Sequence, residues 1–557
     1  MKLKKSAWLL LCLTLVMSLF LAACSGGDDT TAPAEKPKEE TPKEDTKKEE
    51  PADTNEPQYG GDLIVGSIGS PTLFNSLYSS DNSSGEIEGF IYNGLVGGDT
   101  EFNPVNDLAS DVQMSEDGLT WTIKLREDVK WHDGEQFTAD DVVFTYNIPL
   151  HADYDGPRKS AFEGIASITK LGDFEVEIKL SKVDATFGST GLSYGILPEH
   201  ILGTVPVAEL GEHEFNTKSP IGTGPFKFAE WKDGEYIKVV ANEDYYEGRP
   251  YLDSITYKIV PDQNALLAQL QAGDVHYINV PGTDLETVKE FPGIQIQSGL
   301  ALSYTYFGVN QLQDRFKDVR VRQAFTHAID REGIVEAVMN GDGEVAHVPE
   351  SPLSWAYSDD VTKFEYDPEK AKALLAEAGW TDSDGDGWLD KDGEKLSFTV
   401  KTNQGNKIRE DIAVVLQQQF KEIGVEAIPQ IVEWSAFIEQ VTAPNWDYDA
   451  MILGWALSTF PDLYDIFHNS QMEQGLNFTH WDNAEASKLM EDARQILDRD
   501  EYKKAYAQIY KIVSEEQPYS FLYYPNAHYA MPENLMGKEF HARSAYYDVN
   551  KWWFKTE

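Results

Sequence analysis

The position of the two cysteines constrains what this 557-residue chain can fold into. Residues 1–23 start with a cationic tip (Lys2, Lys4, Lys5), continue with an apolar run and end in small residues, as secretory signal peptides do. The apolar run is shorter than the roughly 20 residues of a membrane-spanning helix, which disfavours a permanent span. Cys12 lies inside this leader, so the exported chain keeps only Cys24. An internal disulfide is then impossible, and the core alone must stabilise the fold.

The four residues Leu21-Ala22-Ala23-Cys24 resemble the lipobox of bacterial lipoproteins, in which the leader is cut before the cysteine and the cysteine carries the lipid. The resemblance implies that Cys24 anchors the chain to the outer face of the cytoplasmic membrane, stably if it carries two or more acyl chains. The alternative is an ordinary signal peptide with a cysteine there by chance. Residues 24–57 lack aromatic side chains, which predicts a disordered acidic tether. A disordered interaction tail is the other interpretation.

The remaining residues, 58–557, predict more than one folded unit. A single core rarely extends beyond about 250 to 300 residues, so we expect two or more lobes. Removal of the leader takes the formal net charge from -47 to -50, because it deletes three lysines and no acidic residue. Such a surface repels nucleic acid and anionic lipid, so we expect no nucleic-acid partner.

Periodicity in this part indicates a mixed α/β chain. Alternation of apolar and polar residues predicts strands at residues 120–126 and 174–180. Helical spacing with end signals predicts helices at residues 368–378 and 408–423, followed by a strand at 425–428. Further helices are predicted near 483–497 and 501–514, before an aromatic strand at 519–524.

Four stretches together carry a resemblance. They are residues 129–142 (VKWHDGEQFTADDV), which predict a turn and a Thr-capped helix start, 219–226 (SPIGTGPF), 242–253 with Tyr245-Tyr246, and 319–331 with VRVRQAF. In this order they resemble the family 5 extracytoplasmic solute-binding proteins, which feed oligopeptide and dipeptide ABC importers. In that family the Gly-Thr-Gly-Pro stretch is a crossing between lobes. One departure is His276, where the family usually has an aspartate.

The resemblance implies a two-lobed α/β periplasmic-binding-protein fold (type II, large peptide-binding class) with a hinge and an interlobe cleft. Lobe I is expected at residues 58–301, with an inserted subdomain at about 95–218, and is completed by about 527–557. Lobe II is expected at 302–526. The implied protein is a monomer without enzymatic activity or a required cofactor. It captures extracellular oligopeptides and delivers them to ABC permease subunits.

Residues 448–458 are the best candidate for the strand that holds a peptide main chain. Gly454 would allow a ligand backbone to approach closely, Trp455 could pack on a side chain, and Ala456 follows them. Strand-end packing is the alternative for these residues. Many family members place an aspartate, which pairs with the peptide's amino group, where this chain has Ser458. Either Asp462 replaces that carboxylate, or the peptides are longer and their ends project from the cleft.

Further candidates for the cleft follow from the family pattern. Trp434 lies where members commonly place an aromatic residue, Tyr304, Tyr306 and Asn310 lie on a predicted strand near the return between lobes, and Ser70 and Asn75 follow the first strand. A structural role is the alternative for each of them.

One acidic loop has the spacing of a calcium site. Asp382, Asp384, Asp386 and Asp390 occupy positions 1, 3, 5 and 9, with glycine at position 6, as in oxygen-rich calcium loops. Position 12 is Gly393, where a bidentate glutamate is usual. The alternatives are a structural calcium ion and a solvated acidic turn.

A surface hydrolase is the rival from another functional class. The sequence contains no P-loop, no Gly-x-Ser-x-Gly and no His-Glu-x-x-His motif, and we expect His132 to hold a turn and not to act as a base. Within the same fold, a nickel chelate, haem or an oligosaccharide is the alternative ligand. The sequence does not determine peptide length, side-chain preference, the cognate permease or a nutritional as opposed to a signalling role.

Overall fold

The structure is a computed structural model that describes residues 56–556. The predicted leader, the predicted lipidation site Cys24 and the predicted tether up to residue 55 lie outside the described residues. The strands within the described part are β1 Asp62–Ser67, β2 Val96–Gly98, β3 Pro104–Asn106, β4 Ala109–Met114, β5 Thr120–Leu125, β6 Ile165–Gly172, β7 Glu175–Leu180, β8 Phe226–Lys232, β9 Tyr236–Ala241, β10 Ser254–Ile259, β11 Ile278–Asn279, β12 Ile294–Leu300, β13 Ser303–Val309, β14 Gly343–Val345, β15 Asp390–Lys391, β16 Glu394–Lys395, β17 Ser397–Asn403, β18 Glu426–Val432, β19 Ala450–Ala456, β20 Tyr519–Pro532, β21 Leu535–Met536 and β22 Trp553–Phe554.

The helices alternate with these strands. They are α1 Asn82–Ile91, α2 Ala139–Asn147, α3 Lys159–Phe162, α4 Glu199–Leu202, α5 Val207–Leu210, α6 Phe215–Lys218, α7 Gln263–Ala272, α8 Leu285–Lys289, α9 Asp314–Lys317, α10 Val319–Ala328, α11 Arg331–Ala337, α12 Pro368–Glu377, α13 Lys407–Glu422, α14 Trp434–Val441, α15 Tyr464–Phe467, α16 Ala484–Ala493 and α17 Arg499–Glu516. A π-helical turn (Phe187–Gly191) and three 3-10 turns (Gly282–Asp284, Asn469–Gln471, Val549–Lys551) complete the set.

Helix ends follow the signals in the sequence. The Asp367 side chain accepts the N–H of Lys370 at the start of α12, and Gly379 has φ +89° just after its end. At the start of α2, Thr138 and Asp141 form a reciprocal capping box. The predicted helices and strands are therefore found, with ends that differ by a few residues.

Two sheets build the N-terminal core. One has the order β1-β10-β9-β8 with β1 parallel to β10, and the other is the antiparallel sheet β4-β5-β7-β6. Alternate side chains of β7, such as Val176 and Ile178, point into this core. The end of the chain returns to the same core through Tyr529, Met531 and Trp552.

An eight-stranded mixed sheet organises the C-terminal core. Its main path is β11-β20-β13-β19-β17-β18, and β12 and β14 also pair with β20. One face, with Phe307 and Ile452, packs against α10, α12 and α13, and the other, with Tyr306 and Leu453, packs against α17 and the helices before it. Both faces are covered, so the central strands are apolar on both sides.

Strand β20 connects the two cores. Its first half pairs with β13 and buries Phe521 in the C-terminal core, whereas its second half pairs with β12 and buries Tyr529 in the N-terminal core. The short link between β12 and β13 crosses between the same two cores in the opposite direction, from the N-terminal to the C-terminal core. Leu302 is the first buried residue of the C-terminal core. The chain thus crosses between the cores at two adjacent places, which is the geometry of a hinge.

The Gly-Thr-Gly-Pro stretch is not one of these crossings, and that expectation was wrong. A Cβ on Gly222 would lie 1.9 Å from the carbonyl oxygen of Ile91, and one on Gly224 would lie 2.5 Å from that of Phe90. Both glycines therefore serve close packing against the end of α1 within the N-terminal core. At the other departure from the family, Nδ1 of His276 accepts the N–H of Ile64 in β1 at 3.1 Å.

Among residues 56–556, no helix combines the length and the hydrophobicity that crossing a bilayer requires.

Candidate ligand-binding cleft

The second half of β19 has an edge that no other described strand covers. β13 pairs with β19 along its whole length, but β17 pairs with only the first two residues of β19. The side-chain hydroxyl of Thr402 in β17 donates to the carbonyl of Ile452 in β19 at 3.0 Å. The backbone groups of the even-numbered residues of β19 therefore point to the β17 side. The N–H and C=O groups of Gly454 and Ala456 therefore point to the open edge, which can accept another extended chain.

The guanidinium of Arg409 lies against Gly454, on the side where other residues carry their Cβ. A Cβ on Gly454 would lie 2.8 Å from Nη2 of Arg409 and 2.9 Å from the carbonyl oxygen of Tyr304. The glycine thus makes room for the Arg409 guanidinium on its Cβ side, and the approach of a ligand backbone stays a prediction. A ligand main chain would meet Gly454 along the strand edge instead.

The two candidate tryptophans are half-buried. Trp455 donates from Nε1 to the hydroxyl of Tyr519 at 3.3 Å, and its ring centroid lies 5.1 Å from that of Phe478. Trp434 begins α14, and its buried Nε1 has no hydrogen-bond partner among the described residues. Each ring combines a packed side with partial exposure, so the ligand-contact role of both stays a prediction.

Three candidates lie inside the C-terminal core, and their role in lining the cleft stays a prediction. Tyr304 and Tyr306 are fully buried, and their rings pack against Phe521 and Tyr519. Asn310 is also buried and donates from Nδ2 to the carbonyl of Tyr448 at 3.1 Å. In this structure the three side chains are packed within the core.

The two candidates after β1 differ from each other. Asn75 is fully buried and donates from Nδ2 to Oδ1 of Asn216 at 3.0 Å, so it fixes a loop in the N-terminal core, and its ligand role stays a prediction. Ser70 is 8% exposed, and its role stays a prediction.

Asp462 is already neutralised within the protein. Its Oδ2 accepts from Nε of Arg494 at 2.9 Å, its Oδ1 accepts from the hydroxyl of Tyr506, and its side chain is only 10% exposed. The hypothesis that Asp462 binds a peptide amino group thereby loses its support. Ser458, by contrast, is exposed.

Several of these residues touch the opposite core. The Oγ atoms of Ser458 and Thr190 are 3.3 Å apart, and the hydroxyl of Tyr464 donates to Glu163 at 3.2 Å. We call the contacts around Arg494 the interlobe clasp. Its members are Ser160, Ala185, Asp462, Asp465 and Arg494. Within the clasp, the backbone carbonyl of Arg494 accepts the N–H of Ala185 at 2.6 Å, and the hydroxyl of Ser160 donates to the carboxylate of Asp465.

The acidic loop places three of the four predicted calcium ligands together. Carboxylate oxygens of Asp382, Asp384 and Asp386 lie within 4.8 Å of one another, and all three side chains are exposed. The fourth, Asp390, instead accepts from the N–H and the hydroxyl of Ser383. Lys395 neutralises Asp386 at 3.1 Å. Calcium binding stays a prediction here.

His132 holds a turn, as expected. Its Nδ1 accepts the N–H of Gly222 at 3.2 Å, which leaves the proton on Nε2 to donate to the carbonyl of Gly224 at 3.0 Å. Burial lowers its pKa to about 4. The ring is therefore neutral and fully engaged at neutral pH.

Sequence reasoning missed the two arginines of the cleft region. Arg409 lies in the first turn of α13, where a cation opposes the helix dipole, and that position was a usable signal. Arg494 gave no such signal, because its partners are far away in the sequence.

Comparisons with known proteins agree with this geometry. The model of the bacterial extracellular solute-binding proteins, family 5 Middle, matches residues 103–478. The oligopeptide-binding protein AppA of Bacillus subtilis is 55% identical over 556 residues, which cover 99% of each chain. Its structure in complex with a nonapeptide has a TM-score of 0.89 at 58% identity, over 90% of this chain and 100% of that one.

Relatives with other names are also similar. Heme-binding protein A of Haemophilus influenzae is 33% identical over 77% of this chain and 80% of that protein. NikZ from Campylobacter jejuni in complex with Ni(L-His) has a TM-score of 0.80 at 29% identity, over 88% of this chain and 99% of that one. The predicted fold class, a two-lobed α/β protein with a hinge and an interlobe cleft, is confirmed. From this extent of similarity it follows that the chain belongs to the bacterial extracellular solute-binding proteins of family 5.

Proposed function

We propose that this chain captures extracellular oligopeptides in the cleft between its lobes and delivers them to the membrane permease of an ABC importer. The observation that carries the proposal is the open edge of β19, where Gly454 and Ala456 present unpaired backbone groups. Main-chain hydrogen bonds at such an edge bind a peptide without reading its sequence. The B. subtilis relative, whose structure contains a nonapeptide, supports peptides as the ligand class.

The family alone leaves other ligands open, since relatives are named for haem and crystallised with a nickel chelate. The oligopeptide-binding relative is much more similar to this chain than either of them, at 55% identity against 33% and 29%. No observation favours an oligosaccharide or a hydrolase, and we propose that the chain catalyses no reaction.

The ends of the peptide stay hydrated in this proposal. An exposed serine stands at position 458, and the nearby carboxylate of Asp462 is bound by Arg494. A buried ammonium group without a counter-charge is strongly unfavourable. The amino terminus of the peptide therefore remains in the wet part of the cleft, which favours longer peptides over dipeptides.

We place lobe I at residues 58–301 and about 527–557, with a subdomain at about 95–218, and lobe II at residues 302–526. The separate hydrophobic cores support this division, because Ala301 packs against the first and Leu302 lies in the second. The antiparallel sheet β4-β5-β7-β6 supports the subdomain.

Membrane attachment is proposed to occur through a lipid on Cys24, with the folded monomer outside the cell. The lipobox-like sequence and the extracellular character of the family support it. Mass spectrometry of the chain extracted from membranes checks this directly, since it should show a cut before Cys24 and the added mass of the acyl groups.

Replacing Ala456 with proline tests the role of the strand edge. Ala456→Pro removes one outward N–H, whereas the control Ala456→Ser keeps it. By calorimetry with several nonapeptides of different sequence, we expect the proline variant to bind all of them about 3- to 10-fold more weakly, the value of one hydrogen bond. Unchanged affinity, with thermal unfolding showing both variants folded, would contradict the edge as the binding element.

A further inference from the structure

The interlobe clasp joins the two lobes through contacts between the protein's own residues. The hydroxyl of Ser160, in α3 of lobe I, donates to Oδ1 of Asp465 in lobe II at 2.5 Å. Nη1 of Arg494 donates to the backbone carbonyl of Ser160 at 3.4 Å, and the carbonyl of Arg494 accepts the N–H of Ala185. Three hydrogen bonds of the clasp therefore cross from one lobe to the other.

A fourth hydrogen bond crosses beside the clasp. The hydroxyl of Tyr464 in α15 donates to Oε1 of Glu163 in lobe I at 3.2 Å. The Tyr464 ring is stacked on the ring of His468 with 3.9 Å between the centroids, and the Arg494 guanidinium lies 3.9 Å from the Tyr464 centroid. Residues of its own lobe thus hold the tyrosine ring, so little ordering is needed when the lobes meet.

Arg494 carries the positive charge of the clasp. Oδ2 of Asp462 accepts from its Nε at 2.9 Å, and the carboxylate of Asp465 lies 3.5 Å from its Nη2. Burial lowers the pKa of Arg494, but the charges of Asp462, Asp465 and Asp184 raise it above its ordinary value. Asp184 belongs to lobe I, so this attraction also acts between the lobes. Arg494 and Asp462 both belong to lobe II, so they stay paired when the lobes separate, and opening leaves neither charge without its partner.

Water has little access to these contacts. Ser160 is 2% exposed and Arg494 is 6% exposed. Two apolar side chains of lobe I, Phe102 and Ala185, pack against the C-terminal core. Hydrogen bonds and ion pairs are stronger in such surroundings than at a hydrated surface. The clasp therefore favours the closed arrangement of the lobes.

The clasp is separate from the proposed peptide edge. Gly454 and Ala456 lie in the second half of β19, whereas the lobe II residues of the clasp start at Asp462. A ligand shifts the balance between an open and a closed form only by binding one of them better. Contacts that need no ligand atom favour closure of the free and the peptide-bound protein alike.

We propose that the interlobe clasp is a latch that holds the lobes closed in the free protein, so that a peptide enters and leaves only when the clasp opens. The inference goes beyond the proposed function, because it concerns the resting form of the protein and the rate of exchange. In a cleft that only the ligand closes, the four cross-lobe hydrogen bonds form after the peptide binds. In a latched cleft they are present before it arrives.

Small-angle X-ray scattering of the peptide-free protein tests the latch. The chain, produced without its leader, is unfolded in guanidinium, dialysed to remove any bound ligand and refolded. We expect wild type to have the same radius of gyration with and without a nonapeptide. The double variant Ser160→Ala/Tyr464→Phe loses two of the four cross-lobe hydrogen bonds, so it should expand when free and become compact again with the peptide.

Ser167→Ala, at an exposed serine of β6, is the control and should behave as wild type. Wild-type protein that is expanded when free overturns the inference, whether or not the variants fold. A double variant that is folded and as compact as free wild type also overturns it, because the clasp is then not what closes the lobes.

Stopped-flow fluorescence with a labelled nonapeptide measures the exchange. Loss of a latch should speed both association and release in the double variant, each by about tenfold for two hydrogen bonds. Faster release with an unchanged association rate shows that the clasp forms only after binding, which contradicts the latch. Wild-type protein that binds no peptide refutes the proposed function, whereas scattering from the free wild type and the free variant still decides the latch.

Discussion

Glu350 is a buried carboxyl group that forms no salt bridge with any residue between 56 and 556. It is 1% exposed, accepts the N–H of Ser351 at 3.0 Å and lies 3.5 Å from the hydroxyl of Tyr510. Burial raises its pKa to about 8. The group is therefore mostly protonated in the folded protein at pH 7, although an exposed glutamate is ionised there.

The stability of the protein should depend on pH through this residue. Because the pKa is higher in the folded state, the contribution of Glu350 to the free energy of unfolding is complete below about pH 4 and is lost as the pH rises toward 8. We expect Glu350→Gln to be more stable than wild type at pH 8 by about 2 to 4 kcal/mol and similar to it at pH 4.

Denaturant unfolding at both pH values measures this difference. The exposed Glu515→Gln is the matched control and should gain nothing at pH 8. If Glu350→Gln has the stability of wild type at both pH values, the carboxyl group is ionised in the folded state and the account of Glu350 is wrong.

At single residues the sequence predicts local contacts better than ligand contacts. The role of His132 in holding a turn was correct, because a turn motif and its partners are encoded nearby. The cleft role of Tyr304 and Tyr306 stays a prediction. Both side chains are buried, and a strand covered on both faces is apolar on both sides, so its pattern does not indicate which face a ligand meets.

At the scale of elements, cap and breaker residues predicted most helices, and tertiary contacts explain the differences. α16 was expected to continue to residue 497 but ends at Ala493, and the carbonyl of the next residue, Arg494, accepts the N–H of Ala185 from the other core. The predicted strand at residues 519–524 is the first half of β20, whose second half belongs to the other core.

The interlobe clasp at the end of α16 should contribute to stability. Arg494→Met leaves the carboxylate of Asp462 buried without its partner, and both side chains are at most 10% exposed. We expect this variant to lose about 3 to 5 kcal/mol in the free energy of unfolding, measured with denaturant. Adding Asp462→Asn should restore part of the loss.

Arg320→Met is the comparison for the clasp. Arg320 pairs with Asp318, but its side chain is 42% exposed, so the change should stay below about 1 kcal/mol. Equal small losses in Arg494→Met and Arg320→Met would show that the clasp is not a stabilising contact.

At the scale of the whole molecule, the family resemblance in the sequence predicted the fold class correctly. The two lobes follow from the size of the chain, and the separate cores on either side of β20 agree with them. The contacts between the lobes were not predictable in the same way. The approach of Arg409 to Gly454 and the pairing of Arg494 with Asp462 exist only in the folded chain, and no local pattern encodes those distances.

In the proposed function, the cleft holds a peptide along the open edge of β19. Native mass spectrometry of the folded part, produced without its leader, followed by release and sequencing of any bound ligand, tests it most directly. We expect a set of co-purified peptides with diverse sequences and lengths beyond those of dipeptides. Protein that carries no peptide and gains thermal stability from haem, a nickel chelate or a glycan, but not from mixed peptides, would rule out peptides as the ligand class.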